Sequence, residues 1–509
     1  MSNSENNKRI VRNTAALYVR MLLMMAISLY TSRVVLQTLG VVDYGIYNVV
    51  GGVVTMIAFL NGALSTATQR YLNYEMGKGN SDGLSKVFSM SFWCFCMIAL
   101  VAVIVAETVG LWFVINKLNI PAERADVALW VYHISVLTFV VELLVIPYKA
   151  SIIAHEKMSV YAYISIAEVS LKLILIYLLV VIDADKLRLY ASMMFITTLL
   201  ICYIDKFYCS RHFAECNVRL VWDRILFKGL FSFSGWMLVG TITYILSTQG
   251  VNMLINIFFG AAVNAARGIA IQVSNAINSF VTNFMMAVRP QIVKSYANGE
   301  HEYMYKLVFS SSKLSFYLLL IFTTPVFFYA EPVLGVWLDT VPEYTVLFTR
   351  LVLISTLVTT FYTPIGYAAQ ASGKIRDYQL TIAAGFLLIF VCTYFLYKLG
   401  YGVEWTFYIA IFIDIIGLLV RLVLLKKVID FPLWPYLKTV GVPIVVIFTL
   451  VYFLSFAYKC FFVPSSFLSV ILGIGWCGII AATLSLLFGL DHAEKRLIKK
   501  GIQKILKRK

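Results

Sequence analysis

The chain has 509 residues, of which 61% are hydrophobic and only 13% charged, with a mean hydropathy of +0.84. A soluble globular protein is excluded, because apolar runs of roughly 18 residues or more recur along the whole length and each can span a bilayer. The formal net charge of +16 requires no nucleic acid in so apolar a chain; cytoplasmic loops rich in Lys and Arg account for it.

The runs are continuous rather than alternating, which indicates helices and not a barrel. The expected fold is an all-α integral membrane protein of about fourteen transmembrane helices. The first six spans fall near 13–37, 45–69, 87–115, 126–149, 158–182 and 187–209. The next six fall near 229–257, 261–288, 306–330, 345–370, 378–399 and 405–426, and the last two near 438–458 and 467–489. The first apolar stretch carries Arg20 and Arg33 and lacks a small-residue cleavage pattern, so it reads as a span rather than a cleavable signal peptide. The eight cysteines show no CxxC pair, and neither disulfides nor a zinc site are expected.

With the N-terminus placed in the cytoplasm, 30 of the 42 Lys and Arg fall in loops on that side, 6 in loops on the other side and 6 within spans. A missed span would invert every loop after it, so this split supports the count and puts both termini in the cytoplasm.

The chain also repeats itself. Shifted by 220 residues, the stretch around Gly40 to Asn80 falls on residues 260 to 300, with a turn expected at Gly40 to Tyr44, another at Gly260, and Gly79 and Gly299 closing the two exits. At a shift of 217, Pro147, Ala154, Lys157 and Tyr161 match Pro364, Ala371, Lys374 and Tyr378. The expected organisation is a six-helix lobe over 1–215, a pseudo-symmetric second six-helix lobe over 216–430, and two extra helices with a basic tail over 431–509. The link 210–229 reads as an amphipathic segment lying along the membrane surface. The tail from His492 to Lys509 suits an anionic inner leaflet, or acts simply as a topology signal.

No Walker loop, HExxH, GxSxG or nucleotide-binding glycine fingerprint is present, so no enzyme, cofactor or metal centre is expected. The informative residues are charges within spans, where charge is costly. Arg33, Arg350 and Lys313 lie near span ends and can snorkel. Glu168 and Lys172 stand four apart and can neutralise each other. Arg20, Arg267, Glu142 and Asp414 have no local partner and are the better functional candidates. Arg267 shares a helical face with Asn264, Asn275 and Asn278, and Gln249, Asn252 and Asn256 make a shorter stripe on the preceding span. Such stripes either glue helices together or line a wet cavity. The scaffold is duplicated but the charges are not, as in a two-lobed transporter with its site between the lobes.

The stretches SLYTSRVVLQTLGVVDYGIYNVVGGVV (28–54) and LNGALSTATQRYL (60–72) resemble the bacterial polysaccharide flippases. These are the Wzx-type O-antigen and repeat-unit transporters of the multidrug/oligosaccharidyl-lipid/polysaccharide superfamily. The resemblance covers essentially the whole chain. It implies a two-lobed inner-membrane protein that carries undecaprenyl-diphosphate-linked oligosaccharides from the cytoplasmic to the periplasmic leaflet by alternating access, for O-antigen, capsule or exopolysaccharide synthesis. Its implied partners are the lipid-linked substrate, membrane lipids and the polysaccharide polymerase or ligase machinery. Cationic cavity residues are a theme of the family, matched in character by Arg20, Arg33 and Arg267, while Glu142 and Asp414 are candidates for ion coupling. An anionic diphosphate suits arginine, whose planar donors bind it bidentately. Alternatives are an ion-coupled multidrug or small-molecule exporter of the same superfamily, disfavoured by six intramembrane bases against three acids, and a membrane glycosyltransferase or polymerase.

Overall fold

The computed structural model describes residues 3–55, 59–117, 120–182, 184–338, 341–462, 467–491 and 494–495, and these contain helices, turns and short links with no strand. The chain opens with α1 (Asn3–Thr55) and α2 (Phe59–Lys78), and α3 (Ser81–Val105) continues through a π-helical turn into α4 (Leu111–Lys117). Then come α5 (Ala125–Ala154), α6 (Met158–Val181), α7 (Lys186–His212), α8 (Arg224–Phe259), α9 (Ala261–Ala297) and α10 (His301–Phe328). The remainder is α11 (Ala330–Trp337), α12 (Thr345–Thr359), α13 (Tyr362–Ser372), α14 (Arg376–Lys398), α15 (Trp405–Ile429), α16 (Leu433–Tyr436), α17 (Val442–Phe461) and α18 (Phe467–Leu484).

Among the described residues, 11 stretches are long and apolar enough to cross a membrane, with α3–α4, α12–α13 and α16–α17 counting as one each. Helices α1, α2 and α9 complete the expected set of about fourteen. The architecture is therefore that of an all-α multi-pass membrane protein. Large apolar side chains such as Val181, Leu246 and Phe453 stay exposed on the helix flanks, as lipid-facing positions should.

One local expectation is corrected. No turn forms at Gly40 to Tyr44: α1 is continuous for 53 residues, about 80 Å at 1.5 Å per residue. The reason is packing. Val35, Leu39, Ile46 and Val50, on both sides of the expected turn, enter one buried cluster with Phe95, Val131 and Leu143, and α1 holds no proline to interrupt it. The second expected span is thereby divided, its first part in α1 and the rest in α2. The link over 210–229 is helical only in part. Residues 217–223 are non-helical, held where the Ser89 hydroxyl accepts from the Arg219 N–H at 3.1 Å and Trp93 Nε1 donates to the Arg219 carbonyl at 3.2 Å. Asp223 then caps α8 by accepting from the Ile225 and Leu226 amides.

The repeat is visible in the helix ends. Gly79 (φ 67°) donates to the Met76 carbonyl and Asn80 to that of Glu75. Gly299 (φ 75°) donates to Tyr296 and Glu300 to Ser295. Both are Schellman closures, in which the left-handed residue favours glycine. At the other offset, the left-handed Glu156 (φ 59°) and Gly373 (φ 77°) close α5 and α13, donating to the Ile153 and Gln370 carbonyls. Gly260 (φ 88°) forms the expected turn between α8 and α9.

The chain divides into two compact units, one of residues 13–235 and one of residues 236–509 together with the start of the chain through Arg12. The first unit has an extended apolar core across α1, α3, α5 and α7, and a second core around Leu72, Phe88, Tyr148 and Phe213. The second unit is built around α10, whose most apolar window is 67% buried, more than any other candidate span; α9, α12, α17 and α18 pack against it. This explains Lys313. It does not snorkel but is 5% exposed, donating to Glu494 at 2.7 Å with Asp491 at 3.7 Å. Asp491 and Glu494 cap each other reciprocally. The two C-terminal helices are thus tied to the lobe that precedes them.

Candidate substrate and ion sites

In the first unit, the intramembrane charges form a balanced group. The Arg20 guanidinium on α1 lies 4.6 Å from the Tyr161 ring centroid on α6, in a cation–π arrangement, and its Nε has no hydrogen-bond partner among the described residues. Lys172 donates to Glu168 at 2.6 Å, one turn away on the same helix, so the expected local pair is present. Glu142 is exposed on α5, within electrostatic reach of Lys149, Lys172 and Glu168. Asp205 on α7, which sequence reasoning missed, is 1% exposed, near Lys149 and Glu168. Arg20, Lys149 and Lys172 thus face Glu142, Glu168 and Asp205. Asp205 escaped notice because it lies one turn from the expected inner end of its span, where a carboxylate reads as a boundary residue. The side chain of Arg33 lies outside the described residues.

At one end of the same unit, Arg124 bonds both Asp43 of α1 and Asp185, which caps α7 and lies 2.5 Å from the guanidinium. Burial pushes the Asp185 carboxyl up, but the Arg188 backbone N–H and the Arg124 guanidinium outweigh it and hold the group below the usual carboxylate range.

In the second unit, Arg267 is 8% exposed and donates to the side-chain carbonyl of Asn252 on α8, which itself donates to Gln249 at 3.1 Å. Tyr244 and Tyr397 are its electrostatic neighbours. The structure therefore brings Arg267 and Asn252 together and turns the guanidinium into the helix packing. Asn275 is exposed and Asn278 half-buried further along α9. Asn264 is half-buried, with its side-chain oxygen enclosed and unpartnered among the described residues. No ion pair joins Arg267 to a carboxylate among the described residues.

Asp414 on α15 accepts from the Ser355 hydroxyl of α12 at 2.8 Å, and the Tyr362 hydroxyl of α13 lies 3.3 Å from its other oxygen. Arg421, two turns further along α15, is 6% exposed and sits 3.5 Å from the Tyr362 ring centroid. Sequence reasoning placed Arg421 at the start of a loop. The signal that locates it correctly is the apolar run LLVRLVLL (418–425) on both sides of it.

Solved structures share this architecture. A proline-to-alanine mutant of a MATE protein superposes with a TM-score of 0.73 at 10% identity, covering 86% of this chain and 100% of that one. The outward-facing conformation of a multidrug resistance MATE family transporter of the MOP superfamily gives 0.72 at 10% identity, covering 84% and 98%. The chain has the fold of these transporters. A further MOP superfamily transporter, from Pyrococcus furiosus and described by a reverse polarity of its binding pocket, gives 0.65 at 10% identity over 84% and 98%. No protein-family model and no curated protein matches the sequence.

Proposed function

We propose that the protein is an ion-coupled exporter of the MOP type, moving an amphiphilic solute across the membrane by alternating access. The observation that carries this reading is the fold shared with MATE transporters over 86% of the chain. Of the six intramembrane bases that weighed against it, two are paired. Lys172 is neutralised by Glu168 and Lys313 by Glu494, while Asp205 adds a buried acid. Glu142 and Asp414 are the assigned coupling carboxylates.

A second reading, the flipping of diphosphate-linked oligosaccharide for polysaccharide assembly, is favoured by a specific observation. Among the described residues Arg267 donates to a neutral acceptor and the Arg20 Nε has no hydrogen-bond partner, so both cations retain donors for an anionic substrate. In this reading the substrate is handed to polymerase or ligase machinery on the far leaflet. The decisive experiment uses proteoliposomes supplied either with a cationic amphiphilic dye under an imposed proton gradient or with lipid-linked glycan. Gradient-driven dye export that persists in Arg267→Ala supports the exporter reading. Glycan translocation that falls about tenfold or more in Arg267→Ala and returns only partly in Arg267→Lys supports the second, because lysine keeps the charge but loses the fork. Transport of neither class by well-inserted protein would overturn both.

A further inference from the structure

The tenth predicted span is not one rod. α12 ends at Thr359 and α13 begins at Tyr362, with Pro364 in the first turn of the new helix, where its missing N–H costs no helical bond. At the break a single carbonyl, that of Thr356, accepts from the Thr360 amide at 3.0 Å and from the hydroxyls of Thr359 and Thr360 at 3.2 Å and 2.8 Å. Thr360 and Phe361 keep right-handed helical dihedrals, so the break is a gap in the helical hydrogen-bond ladder, bridged in part by these bonds.

One residue of a neighbouring helix holds both sides. Asp414 takes the Ser355 hydroxyl from α12, four residues before the helix ends, and meets Tyr362, the first residue of α13. The Tyr362 hydroxyl donates to the Asp414 main-chain carbonyl while remaining 3.3 Å from its carboxylate. Gly417 makes room for this: a Cβ there would stand 3.3 Å from the Tyr362 hydroxyl. Arg421 lies against the Tyr362 ring, and Tyr378 of α14 reaches the Tyr362 carbonyl at 3.4 Å. The charged and titratable groups acting on Asp414 from the helices around it are Arg421 and Tyr362, with Tyr378 behind them.

We infer that Asp414 is a proton-operated clamp across the break between α12 and α13, with Tyr362 and Ser355 as its positioning residues. In the ionised state the carboxylate makes a charge-assisted bond to Ser355, attracts the Tyr362 hydroxyl and draws Arg421 onto the Tyr362 ring. A proton arriving on the carboxylate removes its negative charge. The contacts to Ser355 and Tyr362 become neutral and weaker, the pull on Arg421 disappears, and α13 is freed to turn about Thr360 and Phe361. Among the described residues no second carboxylate acts on Asp414 to complete a site for a hard cation, which favours the proton as the operating ligand. The inference deepens the assignment of Asp414 to ion coupling made above.

The test is hydrogen exchange of the full-length protein in lipid nanodiscs, read on the peptide spanning 359–365 and corrected for the intrinsic effect of pH. Protection of this peptide is expected to fall about tenfold from mildly alkaline to mildly acid buffer. Asp414→Asn should show the low protection at both pH values. Tyr362→Phe and Ser355→Ala, which keep the carboxylate and insert normally, should lower the alkaline value and shrink the pH step. Protection in the wild type that is flat with pH overturns the clamp, as does high protection in Asp414→Asn. A response to replacing sodium by choline at constant pH, without a response to protons, overturns the proton assignment. Loss of transport in Asp414→Asn combined with pH-flat exchange would leave ion coupling standing and remove only the clamp.

Discussion

At the scale of the residue, partners separate what the sequence shows from what it hides. Glu168 and Lys172 are four apart on one helix, so their pairing follows from helical geometry alone. Lys313 and Glu494 are 181 residues apart, and no local pattern announces that they meet. Asp414 was recognisable as a charge without a local cation, but Ser355 and Tyr362 come from other helices. The Asp185 carboxyl offers a direct test of its environment. Its folded-state pKa is held down by Arg188 and Arg124. The stabilisation is therefore complete above the unfolded value of about 3.9 and is lost as pH falls through the lower folded value. Stability should show no contribution from Asp185 to any change between neutral and mildly acid pH, and a loss below about pH 4. Asp185→Ala, which removes both the helix cap and the contact to Arg124, should cost about 1–2 kcal/mol at neutral pH. Thermal unfolding in detergent across pH reads both effects; an unchanged acid limb in the variant would show that the carboxyl is not held as described.

At the scale of the element, span positions were legible because lipid imposes one length and one composition on every crossing helix. Breaks were less legible, because glycine marks a turn only where the backbone needs it. Gly40 sits in a helix that buried neighbours carry through, whereas Gly79 and Gly299 adopt left-handed conformations with identical closing bonds. A Cβ at either of these two would meet nothing within 4 Å, so substitution there costs backbone strain without a clash. Gly79→Ala and Gly299→Ala should each destabilise by about 1 kcal/mol, with asparagine milder than alanine at both positions and valine worse. Unfolding midpoints of the two series should run in parallel. A Gly299 series that tracks side-chain volume while the Gly79 series tracks left-handed propensity would show that the two closures are not equivalent.

At the scale of the whole molecule, the charge tally sorted loops into two sets before any contact was known, and long-range bonds of the first unit respect that sorting. Arg124, Asp43 and Asp185 come from three stretches assigned to the outer side, and they bond to one another. His155 and Glu215, and likewise Ser89 and Arg219, come from stretches assigned at or next to the inner side, and they also pair. Contacts can group loops but cannot say which group faces the cytoplasm. That direction rests on Lys and Arg resisting translocation, and it is what a reporter reads. Fusions at Asn80, Asn217 and Lys509 should be cytoplasmic and fusions at Asp43, Asp185 and Asp339 periplasmic. Asn80 and Asn217 lie in one group of loops, while Asp185 lies in the other and Asp43 of α1 is bonded to the same Arg124, so the two pairs must report opposite sides whatever the absolute orientation. If all four switched sides together, the grouping would stand and the charge rule would fail for this chain. If Asn80 and Asn217 separated, an odd number of spans would lie between them, and the 6 + 6 + 2 arrangement of helices would be wrong.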